Sequence, residues 1–291
     1  MLNSPTIFIS TTWFGNGQTD LERVLDEMRG LDIQGIELGS THVWRPDFKI
    51  ILAADAGRKL FTHNYFPPAE QELVLNIASK DPAVRDASLA HASCAIQFAS
   101  EIGASLYTIH PGFLSDADIP SPNTSSNAPY DFVFNGEWAD RERAQKQLHR
   151  SLSVLLEVAD KSGVRLAVET QGSFIDAGVS LLERPSDYDE ISDLFEAGLE
   201  INFNFAHSWF AAQVHEFEFD RLLAICRPYL AAIELSHNDG THDHHAAIPE
   251  GSYVLDWVGR FGDIPLILEF RNASRPELET AIDVVRRAAA R

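Results

Sequence analysis

Strand and helix signals alternate eight times along this chain of 291 residues, and the strand signals end, one after another, in a carboxylate, an amide or an imidazole. These two observations predict an α/β fold: a closed (β/α)8 barrel of the TIM type, a single domain of residues 1–291 with long loops at the C-terminal face of the strands. The polar ends read Gly-Ile-Glu37, Phe-Thr-His63, Tyr-Thr-Ile-His110, Leu-Ala-Val-Glu169, Ile-Asn-Phe-Asn204, Ala-Ile-Glu234 and Leu-Ile-Leu-Glu269. A parallel barrel collects its strand ends on one face, so side chains placed there converge on one pocket. The length and a hydrophobic content of 45% suffice for the core of one such domain.

The elements follow in order. Thr6–Ser10 is the first expected strand, and the helical pattern Asp20–Leu31 comes after it. Gly35–Leu38 and Leu60–Asn64 are strands two and three, and the helical pattern Arg85–Ile102 leads to strand four, Ser105–His110. Asp140–Lys161 precedes strand five at Arg165–Glu169, and Tyr188–Ala197 precedes strand six at Glu200–Phe205. Ala231–Ser236 and Pro265–Phe270 complete the set, with the helical pattern Pro276–Ala289 at the end. The strand runs are short and apolar, while the helical runs repeat apolar residues three and four positions apart.

Two connections are long, and both follow strands on the presumed catalytic side. Residues 111–137 are rich in Pro, Ser, Asn and Asp and carry Phe113, Tyr130, Phe132 and Phe134, a composition expected of a lid over the pocket. The other, His237 to Pro249, holds four histidines and two aspartates.

Composition limits the function classes. With 23 basic and 43 acidic residues the net charge is −20, a field that repels nucleic acid phosphates, so no nucleic acid partner is expected. No stretch approaches the apolar length of a membrane span and Met1 to Ser10 lacks the marks of a signal peptide, so no membrane partner and a cytoplasmic location are expected. Cys94 and Cys226, both in helical patterns, are read as reduced, core-packed thiols.

Alternation along each strand decides which polar ends point inward. Leu166 and Val168 face the helices, hence Glu169 faces in. The same count turns Glu269, Asn202, Asn204, His110 and Glu37 inward, and on strand seven it favours Glu234 over His237. Several carboxylates inside one barrel cannot all stay ionised without compensation, so either some keep a proton or a cation sits among them. Oxygen-rich ligands with an imidazole or two suit Mn²⁺ or Mg²⁺, with Zn²⁺ the alternative as the histidine share rises.

The ordered series of His63 in Phe-Thr-His-Asn-Tyr, His110 in Ile-His-Pro-Gly, Glu169 in Ala-Val-Glu-Thr, Asn204-Phe-Ala-His207, the His237 to Gly251 segment and Leu-Ile-Leu-Glu269-Phe resembles the xylose isomerase-like barrel superfamily. That group holds sugar phosphate isomerases and epimerases together with endonuclease IV. The resemblance implies a metal site built from Glu, Asp, His and Glu on strands five to eight. Glu169 and Glu269 match it. The chain departs at strand six, with Asn204 for Asp, and at strand seven, with Glu234 for His unless His237 serves instead. The two departures together would leave the ligand charge unchanged. Asp243 and His245 match a pair that supplies an additional metal position in part of the family.

From that resemblance the expected function is a metal-dependent isomerase or epimerase of a sugar or sugar-like polyol. Glu169 and Glu269 would exchange the proton, His63, His110, His207 and Arg271 would contact hydroxyls, and Trp13 and Phe66 would cover the apolar face of the sugar. Without a Gly-rich phosphate cradle, the small-molecule partner is expected to be unphosphorylated. Two alternatives stand beside it. One is a phosphodiesterase on abasic DNA, with His63, His110, Glu169, His207, Asp243 and His245 holding a metal cluster. The other is a metal-free binding or lyase-type relative. Whether two copies pair as a homodimer is left open by the sequence.

Overall fold

A computed structural model describes residues 5–14, 20–40, 42–54, 57–71, 73–118, 133–134, 137–172, 179–239 and 244–290 of the protein. Most of the expected lid over 111–137, including Tyr130 and Phe132, lies outside the described residues, as do His242 and Asp243.

Eight parallel strands close into a barrel: β1 (Ile7–Ser10), β2 (Gly35–Leu38), β3 (Lys59–His63), β4 (Leu106–Ile109), β5 (Arg165–Glu169), β6 (Glu200–Asn204), β7 (Leu230–Leu235) and β8 (Leu266–Leu268). Each neighbours the next in sequence, and β1 pairs with β8 to close the ring. The helices α1 (Leu21–Glu27), α2 (Phe48–Ala54), α3 (Pro82–Glu101), α4 (Arg141–Ser162), α5 (Ser192–Glu196), α6 (Phe205–Val214), α7 (Phe219–Cys226), α8 (Leu255–Val258) and α9 (Arg275–Ala289) cover it. One large core lies between strands and helices, built on Ile7, Ile9, Ile36, Leu38, Tyr107, Ile109, Leu166, Val168, Ile233 and Leu235 and the buried faces of the helices.

The alternate strand residues fill the barrel interior in layers. Phe8, Phe61, Leu106, Ala167, Ala232 and Ile267 form an apolar floor. The rings of Phe8 and Phe61 stack with centroids 4.0 Å apart, and a side chain on Gly35 would meet Phe8 ring carbons at 2.1–2.6 Å, so glycine is what lets these rings lie flat. Above the floor comes a polar layer: Ser10 stands opposite Glu37, His63 opposite Thr108, Glu169 opposite Asn202 and Asn204 opposite Glu234. A one-residue register shift between β6 and β7 after Ile201 sets that last pairing.

Three local readings change. The expected helix Tyr188–Ala197 is a 3-10 segment, Pro185–Ile191, running into the short α5. Phe205 is not the end of β6 but the first residue of α6, because the Asn204 side chain accepts from His207 N–H and starts the helix there. Cys226 is buried as expected, whereas Cys94 is exposed on α3, turned from the core that its helix buries through Ala92, Ala95 and Ile96.

Candidate active site

Glu169, at the end of β5, is the hub of the polar layer. One of its oxygens lies 2.8 Å from His63 Nε2 and 2.8 Å from His110 Nε2, and the other 3.1 Å from His207 Nδ1. β3 brings His63, the turn after β4 brings His110, and the start of α6 brings His207. Asn64 aids this, since its left-handed backbone turns the chain and its side chain accepts from His110 N–H at 3.4 Å. Gly172 leaves room for α6: a Cβ there would meet the His207 backbone at 2.8 Å.

Glu269, one residue beyond β8, has its own imidazole partner. His245 Nδ1 lies 3.1 Å from Glu269 Oε2, and His245 Nε2 is 3.2 Å from His207 Nε2. An antiparallel bridge between His237 and Ala246 folds the loop after β7 back on itself, and the Arg271 N–H bonds the His245 carbonyl at 2.8 Å, which together hold His245 buried over the pocket.

Between the two glutamates lies an amide. Asn204 Nδ2 donates to Glu169 at 3.1 Å, Glu234 at 2.9 Å and Glu269 at 3.4 Å, while Asn204 Oδ1 accepts from His207 N–H at 3.2 Å as the cap of α6. The cap fixes which end of the amide faces the acids. Asn202 Nδ2 donates to the other oxygen of Glu234 at 2.6 Å.

Glu37 on β2 is different. It is fully buried, and neither carboxylate oxygen has a hydrogen bond of good geometry; Ser10, its strand partner, is near enough only to temper its charge. The Nδ1 of His63 is likewise buried without a partner. Ligand atoms of Glu37, His63 and Glu269 lie within 4.8 Å of one another, as do those of His63, His110 and Glu169. Buried carboxylates with imidazoles, and orphaned polar atoms among them, fit a divalent cation.

The acids divide electrostatically. Burial alone would raise Glu169, but the charge and hydrogen bonds of His110, His207 and His63 hold it well below the carboxylate range. Burial is likewise outweighed at Glu269, which His245 and the charge of His63 pull down to about 2. Burial, reinforced by the charges of Glu169, Glu269 and Glu37, pushes Glu234 well above its ordinary value. Glu37 is raised by burial to about 7, against the pull of His63. His63 itself rises to about 9, burial being overcome by Glu37 and Glu169. Two glutamates are thus held ionised beside two that keep a proton more readily, a separation suited to proton transfer.

Glu169, Glu269, Asn204, Glu234, His63, His110, His207 and His245 are therefore brought together. His237 is not: its Nδ1 lies 3.0 Å from the Ser252 hydroxyl and its ring packs on Tyr253. Phe66 is fully buried against His42, Phe48 and Phe98, and Trp13 is buried in the core outside the strands. The Arg271 side chain is half-buried and touches none of the acids among the described residues. Thr108, Thr170 and Gln171 join the site unannounced. Thr170 Oγ1 accepts from Asn204 N–H at 2.9 Å, and the buried amide nitrogen of Gln171 has no partner. Their inward phase or place beside Glu169 was the available signal.

Solved structures share this architecture. A D-tagatose 3-epimerase-like protein superposes with a TM-score of 0.70 at 19% identity, covering 98% of this chain and 97% of its own. D-psicose 3-epimerase, determined in the presence of D-fructose, gives 0.67 at 12% identity and covers 98% and 97%. Endonuclease IV from Thermus thermophilus gives 0.59 at 14% identity and covers 98% and 99%. At such identities the likeness speaks to the fold alone. By sequence no curated protein matches the chain. The family described as xylose isomerase-like TIM barrel matches residues 46–288, and the chain, closed barrel and strand-end acids alike, belongs to that family.

Proposed function

We propose that the protein is a sugar isomerase or epimerase that moves a proton on a carbon next to a carbonyl, with a divalent cation in the pocket, Mn²⁺ or Mg²⁺ before Zn²⁺. The observation that carries this reading is the pair Glu169 and Glu269, joined through one amide nitrogen and each backed by imidazole. An unphosphorylated sugar or polyol between them would meet a carboxylate on either face. The sugar epimerases among the similar structures support that substrate class.

When bound, the cation would polarise the substrate carbonyl and offset negative charge; carboxylates and imidazoles of the pocket, His63 and Glu269 among them, would hold it. The remaining work belongs to the chain. In an isomerisation one glutamate accepts the carbon-bound proton and returns it to the neighbouring carbon; in an epimerisation one accepts the proton while the other, protonated beforehand, gives its own to the opposite face. Loss of their imidazole hydrogen bonds to an entering hydroxyl raises their basicity. Glu234, which keeps a proton more readily, is the neutral neighbour that limits repulsion in the pocket.

The test is NMR detection of exchange of carbon-bound hydrogen with solvent deuterium across a panel of ketoses, with and without added Mn²⁺. Exchange is expected with at least one ketose, falling about 100-fold or more in Glu169→Gln. Exchange that persists in Glu169→Gln and Glu269→Gln would refute the assignment.

The phosphodiesterase reading draws on the His63–His110–Glu169 cluster and the contact between His207 and His245. The net charge of −20 opposes it.

A further inference from the structure

The family's ligand positions on β5 to β8 are, in this chain, knit together by the Asn204 amide. An Asp at this place can cap α6 with one oxygen and offer the other to a cation. Asn cannot do both: with Oδ1 on His207 N–H, its NH2 must face Glu169, Glu234 and Glu269. A hydrogen donor, itself partly positive, then occupies the middle of those acids, and a cation there would have to displace it.

Across the pocket the situation is reversed. Glu37 is fully buried with two oxygens that lack a hydrogen bond of good geometry, and His63 Nδ1 lacks a partner too. A buried carboxylate in this state takes up a proton or a cation, because a charge left without solvent or hydrogen bonds is costly. Its ligand atom and those of His63 and Glu269 lie within 4.8 Å of one another. Around a small divalent ion with bonds of about 2.1 Å, ligand atoms stand roughly 3–4 Å apart, so side-chain rotations alone could gather the trio.

We propose that Glu37, His63 and Glu269 form the cation position of this protein, displaced toward β2, β3 and β8 from the set on β5, β6 and β7. The inference rests on the metal-dependent reading above, and it assigns Glu37, which that reading does not use. Glu269 belongs to both sides of the pocket, so the displaced ion would still stand beside the glutamate pair.

Mn²⁺ affinity and stoichiometry, by calorimetry and metal analysis, test this in the wild type, Glu37→Gln and Glu234→Gln, together with thermal unfolding in EDTA and in excess Mn²⁺. Glu37→Gln should lose about tenfold or more in affinity, and more than Glu234→Gln does. The rise in Tm on adding Mn²⁺ should vanish in Glu37→Gln, while its Tm in EDTA stays close to the wild type's, since the amide keeps the volume of the carboxyl. Should Glu37→Gln fail to fold, His63→Gln is read by the same affinity criterion. Wild-type affinity in Glu37→Gln, or a greater loss in Glu234→Gln, overturns the proposal while the proton-transfer reading stands. A wild type that binds neither Mn²⁺ nor Zn²⁺ overturns both.

Discussion

Restoring the family's carboxylate at strand six, by Asn204→Asp, should make the metal-free protein markedly less stable. The amide nitrogen is 3.1 Å from Glu169 and 2.9 Å from Glu234, with Glu269 at 3.4 Å. Hydrogen bonds to charged groups contribute about 1.5–3 kcal/mol each, and a carboxylate put in the amide's place would meet repulsion of about 4 kcal/mol per ionised neighbour at 4 Å and an effective dielectric of 20. The new acid avoids that by keeping a proton. Holding a group of ordinary pKa about 4 protonated at pH 7 costs about 4 kcal/mol, which sets the scale of the loss. Asp caps a helix as well as Asn, so α6 itself is not weakened. With roughly 2–4 °C per kcal/mol for a domain near this size, Tm should fall by about 8–16 °C. Because the new acid's folded pKa lies above its unfolded value, the deficit should shrink by about 1.4 kcal/mol per pH unit on going from 7 toward 5. Urea denaturation in EDTA at several pH values measures this, and excess Mn²⁺ should recover much of the stability. A deficit below about 1 kcal/mol at pH 7, or one that ignores pH, would show that the Asn204 amide does not neutralise the acids.

Stability of the metal-free wild type should itself depend on pH. Glu37, raised from 4.5 to about 7, contributes stability lost as pH climbs through that range, and His63, raised from 6.5 to about 9, extends the loss upward. Glu269, lowered from 4.5 to about 2, contributes stability lost as pH falls below 4.5. Urea midpoints in EDTA should therefore be highest near pH 5 and decline toward 9; a flat profile would contradict this charge pattern. Gly35→Ala should destabilise by about 3 kcal/mol, since its Cβ overlaps the Phe8 ring, and Phe8→Leu in the same chain should recover part of the loss; two purely additive effects would count against the clash. No incision of an abasic duplex is expected at physiological salt, because a net charge of −20 repels the phosphates. Cleavage that disappears in His245→Ala would reverse the choice between the two reaction classes.

The barrel was legible because two periodicities suffice to read it. Strand alternation placed Glu37, Asn202, Asn204, Glu169, Glu234 and Glu269 inside without any knowledge of their neighbours. What alternation does not carry is orientation at an element boundary. That Asn204 caps α6, and therefore turns a donor to the acids, depends on Phe205 beginning a helix, yet Phe205 also continues the apolar run of the strand. His237 and His245 sit eight positions apart on one loop, and only the bridge between His237 and Ala246 decides that His245 reaches Glu269 while His237 turns to Ser252. Phe66 follows the polar end of β3 as a pocket residue would, but the chain turns at Asn64 and carries its ring out among α2 and α3.

The stacked floor of Phe8 and Phe61 makes the pocket blind-ended. Among the described residues the polar layer reaches solvent on the side of His110 and Glu269, whose side chains are 27% and 11% exposed against 1% for Glu169. In the proposed reaction a proton taken from carbon by Glu169 would lie above that floor, so its escape to solvent would compete directly with its return to the same molecule. The ratio of internal return to solvent labelling becomes a measure of how well the mouth is covered, and opening the floor by shortening Phe8 would add a second route that label could take.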